Sequence, residues 1–271
     1  MKKMLIYAAA LLLAVACGQK NETKMLVLYY SQTGNTQAVA ELIATATGAD
    51  IEAIVPVVPY DGDYAATIER GRDELFGKNF PEVQPVAADV AKYDVIFLGF
   101  PVWFGTYATP VETVLNSLDL AGKKIVPFCT FGSGGLDSSS NNLAEKLTET
   151  EILTGYGVRA ARMDAMPAEV QRFLVEAGFA EGEYEPLPEF PELAPATEEE
   201  AAIFDAAVAS YPMISAKAAE VASRQVPGGQ EYLFTALNNP GDPRFQGDPK
   251  PMKVYVLVEE GKDPVFTQVC R

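Results

Sequence analysis

The stretch that most constrains this chain is Met25–Thr36, MLVLYYSQTGNT, where an apolar run of strand formers stops at a Ser/Thr/Gly/Asn turn that also opens a helix. Met25–Tyr30 has the continuous apolarity of a strand buried on both faces, as in a parallel sheet. Ala38, Val39, Leu42, Ile43 and Ala46 recur at helical spacing and predict an amphipathic helix over Gln37–Thr47. Ser31, Gln32, Thr33, Gly34, Asn35 and Thr36 lie between the two. A helix N-terminus presents unpaired N–H groups and a positive dipole end, and the hydroxyls of Ser31, Thr33 and Thr36 add donors without adding charge. The stretch therefore reads either as a phosphate cradle or as an ordinary turn with an N-cap. The rest of the chain decides between them.

The same alternation continues. Asp50–Val55 reads as a second strand and Tyr64–Leu75 as a helix, before a polar stretch around Phe80–Gln84. Tyr93–Gly99 is a third buried strand and runs into an aromatic-rich loop of Phe100, Pro101, Val102, Trp103, Phe104, Gly105 and Thr106. Pro110–Leu118 is a helix with Pro at its start. Lys124–Cys129 is the fourth strand, followed by Thr130, Phe131, Gly132, Ser133, Gly134 and Gly135, a loop that exposes backbone donors. Asn141–Leu147 looks helical, Gly157–Arg162 is a weaker fifth strand, and Pro167–Ala177 is a closing helix. Strands alternating with helices in this way predict an α/β fold, a doubly wound five-stranded parallel sheet with right-handed crossovers.

In such sheets ligands bind outside the carboxyl ends of the strands, where the strand order reverses. The loop after the first strand offers phosphate donors, the loop after the third a Trp103 platform, and the loop after the fourth a glycine-rich ribbon that can lie against a planar heterocycle. Together they describe a site for flavin mononucleotide (FMN). A core role is the other reading of Trp103, but its Pro- and Gly-bounded loop favours the site.

Ser31–Thr36, Gly99–Gly105 and Thr130–Gly134, in that order, resemble the flavodoxin family over about residues 25–180. The resemblance implies the strand order 2-1-3-4-5 with FMN at the switch point. It implies further that Ser31–Thr36 hold the phosphate, and that Pro101–Gly105 and Thr130–Gly135 line the ring, with Trp103 as the candidate for stacking. Relatives with this pattern often carry a histidine where this chain has Phe131, so the resemblance points to electron relay more than to reduction with proton delivery.

The chain has no histidine, which removes Ser-His-Asp and Cys-His catalysis and His-ligated zinc or haem. No metal site is predicted. A formal net charge of −16 argues against sequence-independent binding to nucleic acid or anionic lipid. Met1-Lys2-Lys3 followed by the uncharged Met4–Ala16 reads as an export signal too short to span a bilayer. Ala14-Val15-Ala16-Cys17-Gly18 resembles a bacterial lipoprotein signal with Cys17 as the lipidated residue, although Ala14 departs from the usual Leu. The expected address is the cell envelope, periplasm or outer membrane, with membrane attachment through that lipid alone. A cytoplasmic product started at Met25 is the alternative. Cys129 ends an apolar run and reads as a buried small hydrophobe; a bridge to Cys270 stays open.

Residues 181–196 are dense in Glu and Pro without period and read as a semi-extended linker. Thr197 and Glu200 form a capping signature for a following helix, and Glu231–Leu237, Met252–Glu259 and Val265–Cys270 are strand-like. One helix on an antiparallel meander is the simplest architecture for 197–271, an α+β module. Ser223–Phe234, with Gln225-Val226-Pro227-Gly228-Gly229, resembles the cystatin pattern of strand, hairpin and strand. Pro227 departs from the inhibitory motif, so the resemblance implies a docking or packing module before a protease inhibitor.

The expected function is electron transfer by an FMN flavoprotein, with the C-terminal module for contact with a redox partner protein. The alternatives are reduction of a quinone or other small acceptor at the same site, or protein binding without redox chemistry. Tyr107, Ser133 and Asp137 lie near enough in sequence to touch a ligand, and none is assigned a catalytic role.

Overall fold

A computed structural model describes residues 23–61, 63–183, 185–211, 214–238 and 251–270. Residues 1–22, which hold the expected export signal and Cys17, lie outside the described residues. The first strand, β1 (Met25–Tyr29), is followed by α1 (Asn35–Thr47), β2 (Asp50–Ala53) and α2 (Tyr64–Gly77). Then come β3 (Val95–Trp103), the short β4 (Thr106–Tyr107) that folds back on it, α3 (Thr109–Ser117), β5 (Lys124–Phe131) and α4 (Leu136–Lys146). The unit ends with β6 (Glu151–Ile152), β7 (Tyr156–Arg159) and α5 (Met166–Glu176). The strands pair in parallel in the order β2-β1-β3-β5, with β6 and β7 both on the outer side of β5. That is the doubly wound α/β sheet predicted.

Alternation along β1 shows why a fully apolar run is required. Leu26 and Leu28 enter a core shared with Leu98, Phe100, Val111 and Leu143, while Val27 enters another with Ile43, Phe97, Phe128 and Val170. Helices α1 and α5 cover the second core, and α3 and α4 the first. Beside α3, the buried Glu74 carboxylate of α2 accepts from the hydroxyls of Tyr60 at 2.5 Å and Thr109 at 2.6 Å, and from Arg70 Nε at 2.8 Å. This polar knot fixes the loop after β2 against α2 and α3.

Some boundaries differ from expectation for local reasons. Helix α4 begins at Leu136 and not at Asn141, because the Gly135 carbonyl accepts the Ser139 N–H and starts the helix through a serine run of low propensity. The fifth strand position lies earlier than Gly157–Arg162 and is split. Lys124 and Ile125 pair with β6, Phe128–Phe131 pair with β7, and the chain bulges between them. Cys129 and Cys270 are both free, so the open Cys129–Cys270 bridge is not formed. Burial, and then the neighbouring Asp137, push the Cys270 thiol up to about 11.

The C-terminal region forms a separate antiparallel sheet. The strands β8 (Ala194–Pro195), β9 (Ala216–Val226), β10 (Gly229–Asn238), β11 (Pro251–Glu259) and β12 (Val265–Cys270) lie side by side in chain order. Helix α6 (Glu198–Val208) opens with the Thr197–Glu200 capping box and buries Phe204 against Phe234, Val254 and Phe266. The long strand β9 is the element the predicted three-run meander leaves out. Its sequence AKAAEVASRQV is made largely of helix formers, and pairing along β10 overrides that propensity.

Two substitutions test this packing. A methyl group on Gly99 of β3 would collide with the Phe128 ring, so Gly99→Ala should cost about 1–3 kcal/mol by overpacking. Glu74→Ala should cost about 3 kcal/mol, since it removes the acceptor that the buried Tyr60 and Thr109 hydroxyls share and leaves them only each other, 3.0 Å apart. Urea unfolding measures both, and an unchanged midpoint in either variant contradicts the packing described.

Candidate functional site

The carboxyl ends of β1, β3 and β5 bring the three predicted loops to one edge of the sheet. At the first, Gly34 adopts φ 89° in open space, a conformation that suits glycine, and serves as the N-cap of α1. No side chain caps this helix and no acidic residue lies in its first turn, so the N–H groups there keep their capacity for an anion. Ser31 Oγ accepts from the Gly34 N–H at 3.2 Å and shapes the turn. Thr33 is exposed, Asn35 is half-buried and Gln32 Nε2 donates to the Tyr60 carbonyl at 3.0 Å. The Tyr30 hydroxyl donates to Gln32 Oε1, so both residues tie the turn to the loop after β2.

Thr36 departs from the donor role predicted for it. It is 1% exposed, and its hydroxyl is engaged at 2.8 Å with the hydroxyl of Thr130, which is also buried. This pair joins the first turn of α1 to the end of β5. A second tie runs from Ser138 Oγ of α4, which donates to the Gly105 carbonyl at 2.6 Å, and a third from Asn142 Nδ2 to Thr106 Oγ1 at 2.9 Å. The loops after β3 and β5 are thereby held together.

The predicted second loop is shorter than expected: Pro101, Val102 and Trp103 are half-buried at the end of β3, and only Phe104 and Gly105, both exposed, turn the chain into β4. Trp103 leans back towards the loop after β2: its ring meets Tyr30 edge-on at 5.8 Å and Tyr60 at 5.1 Å, and its benzo edge packs on α2 at Gly71. The aromatic that stands out is Phe104, 41% exposed at a positive φ of 53° that few non-glycine residues adopt. The sequence favoured Trp103 because of its Pro- and Gly-bounded loop; the backbone conformation that exposes Phe104 has no signal in composition, apart from the following Gly105.

In the third loop, Phe131 is corrected. It is the last residue of β5, 4% exposed, with its ring in the core against Gly157, so its side chain does not line the site. Gly132 is exposed, and Ser133 and Gly134 are half-buried because the C-terminal region packs on them. Tyr107 is buried, and Asp137 is exposed in the first turn of α4. The Tyr107 hydroxyl donates to Glu112 at 2.7 Å, and burial followed by that bond raises its pKa. The missed neighbour is Arg159 at the end of β7, whose Nε donates to the Gly132 carbonyl at 2.9 Å. Only its place at a strand's carboxyl end hinted at this.

The arrangement offers backbone donors at α1 for an anionic group and two loops that frame a flat one. A protein-family model described as Flavodoxin matches residues 24–166. An NAD(P)H dehydrogenase (quinone) of Cupriavidus metallidurans is 36% identical over 101 residues, which make up 35% of this chain and 46% of that protein. The chain thus spans about half the length of that curated relative. The solved structure of a Bacteroides uniformis protein described as a flavoprotein is 27% identical, covers 55% of this chain and 98% of that one, and has a TM-score of 0.50. A flavoprotein of Lactobacillus acidophilus, solved in complex with FMN, is 28% identical, covers 53% of this chain and 98% of its own, and has a TM-score of 0.46. With the family model matched over more than half of its length, on a parallel sheet whose loops converge as described, the chain belongs to the flavodoxin family.

Proposed function

We propose that this chain is an FMN-binding redox flavoprotein whose role is electron transfer. The observation that carries the reading is the uncapped, acid-free N-terminus of α1, tied through Thr36 and Thr130 to the loops that end β3 and β5. The donor set fits FMN: Thr33 and the N–H groups of the α1 first turn take the phosphate, and Pro101–Gly105 and the backbone of Gly132–Gly134 frame the ring. When bound, FMN supplies the one- and two-electron chemistry. The protein's own groups bind, orient and exclude water. With Phe131 in the core and no histidine in the chain, no side chain of the third loop is placed to deliver a proton, which favours electron relay.

A second reading keeps the site and makes a quinone or another small molecule the acceptor, in keeping with the name of the Cupriavidus relative. The partner-docking role of the C-terminal region, its cystatin-like character and the division of the chain at residues 181–196 belong to this proposal as well. So does the envelope address through lipidated Cys17. The formal charge of −16 favours a cationic partner protein.

Purified native chain should show the absorbance bands of bound flavin, or acquire them when FMN is added. A colourless protein that ignores FMN defeats both redox readings. Thr33→Ala should weaken FMN binding by about 1–3 kcal/mol, as for one charge-assisted bond lost, measured by quenching of flavin fluorescence. Unchanged affinity would return the turn to a structural role. Steady-state reduction of a soluble quinone, compared with that of a cationic haem protein, separates the two acceptors.

A further inference from the structure

The glycine-rich loop after β5 is gripped from two sides, by β7 of the parallel sheet and by β12 of the C-terminal sheet. The Ser133 carbonyl accepts the Val269 N–H of β12 at 2.7 Å, and the Gly132 carbonyl accepts Arg159 Nε. The same guanidinium donates through Nη1 to the Phe266 carbonyl of β12 at 2.7 Å and lies 3.5 Å from the centroid of the Phe266 ring. Arg159 is only 8% exposed, so it is a buried clip between the loop and the C-terminal sheet. The contact is close: a methyl group on Gly134 would collide with the Val269 carbonyl, and the Tyr211 hydroxyl stands over Gly132.

The described residues contain no cis peptide bond. In a trans peptide the N–H lies antiparallel to the carbonyl. Turning the Gly132 and Ser133 carbonyls towards Arg159 and β12 therefore turns the N–H groups of Ser133 and Gly134 the other way. Neither N–H donates to another group among the described residues. The loop begins two residues after Thr130 of β5, which is bonded to Thr36 at the start of α1, so these two donors lie on the same edge of the sheet.

We propose that the C-terminal region is a positioning element of the FMN site: through Val269 and Arg159 it fixes the two peptide planes that present the Ser133 and Gly134 N–H groups to the acceptor atoms of the flavin ring. The proposal rests on the FMN reading above. Donors held at those atoms favour the electron-rich reduced ring, so the C-terminal sheet sets the flavin potential without supplying a side chain to it. Arg159 and Val269 are positioning residues.

The test uses the full chain with FMN as the probe. Gly134→Ala wedges the loop away from β12, Arg159→Met removes both donors of the clip, and Arg159→Lys keeps the charge without the fork. In the flavin-free protein, amide hydrogen exchange should show the Val269 N–H protected in the native chain and exposed in Gly134→Ala and Arg159→Met. In the same two variants FMN should bind about tenfold more weakly, as for loss of one or two hydrogen bonds, and its midpoint potential should fall. Arg159→Lys should lie between them and the native chain. Circular dichroism confirms that the variants compared are folded. Loss of Val269 protection with native affinity and potential overturns the proposal and leaves the FMN reading standing. Val269 protection retained in every variant overturns it too. Failure of the native chain to bind FMN at all overturns both.

Discussion

The site depends on one buried hydroxyl pair, Thr36 with Thr130. A parallel sheet aligns strand ends but leaves the loops beyond them free, because each loop satisfies its backbone separately. The Thr36–Thr130 bond spans 94 residues of sequence and links the helix that would receive a phosphate to the strand whose loop would meet the ring. With the bond buried, neither hydroxyl can turn to water without losing its partner, and an unpaired buried hydroxyl costs about 1–3 kcal/mol. The separation between the two halves of the site is set at that point.

Much of this was legible in the residues. Continuous apolar runs gave the parallel strands, because a strand buried on both faces has no polar side to show. The Ser/Thr/Gly turn at Ser31–Thr36 located the start of α1, and the glycine spacing located the third loop. What remained hidden depends on contacts far apart in sequence. Thr36 looks like a donor to a ligand until Thr130 is brought opposite it. Phe131 looks like a loop residue until β5 is seen to run to its full length beside β7. That Trp103 meets Tyr30 and Tyr60 edge-on and packs on Gly71 of α2 has no signal within its own loop.

One strand of the C-terminal region was missed for a related reason. Strand β9 is built from Ala, Lys, Glu and Arg, which taken alone favour a helix, and only its ten-residue pairing with β10 makes it a strand. The glycines of the third loop are an instructive case of one residue type serving two purposes. Gly134 reads as room for a ligand, yet the room is also needed by the Val269 carbonyl. A glycine pattern marks where a backbone is approached closely without saying what approaches it.

The contact between β12 and the third loop is small, a few hydrogen bonds and one buried guanidinium. As an encounter between two separate proteins it would be fleeting, since association must first overcome the loss of translational and rotational freedom. Here both sides are on one chain, and a tether of this kind holds its ends at an effective concentration on the order of millimolar. Contacts too weak to recruit a partner from solution are therefore enough to keep the loop clamped, and the clamp stays independent of how dilute the protein becomes.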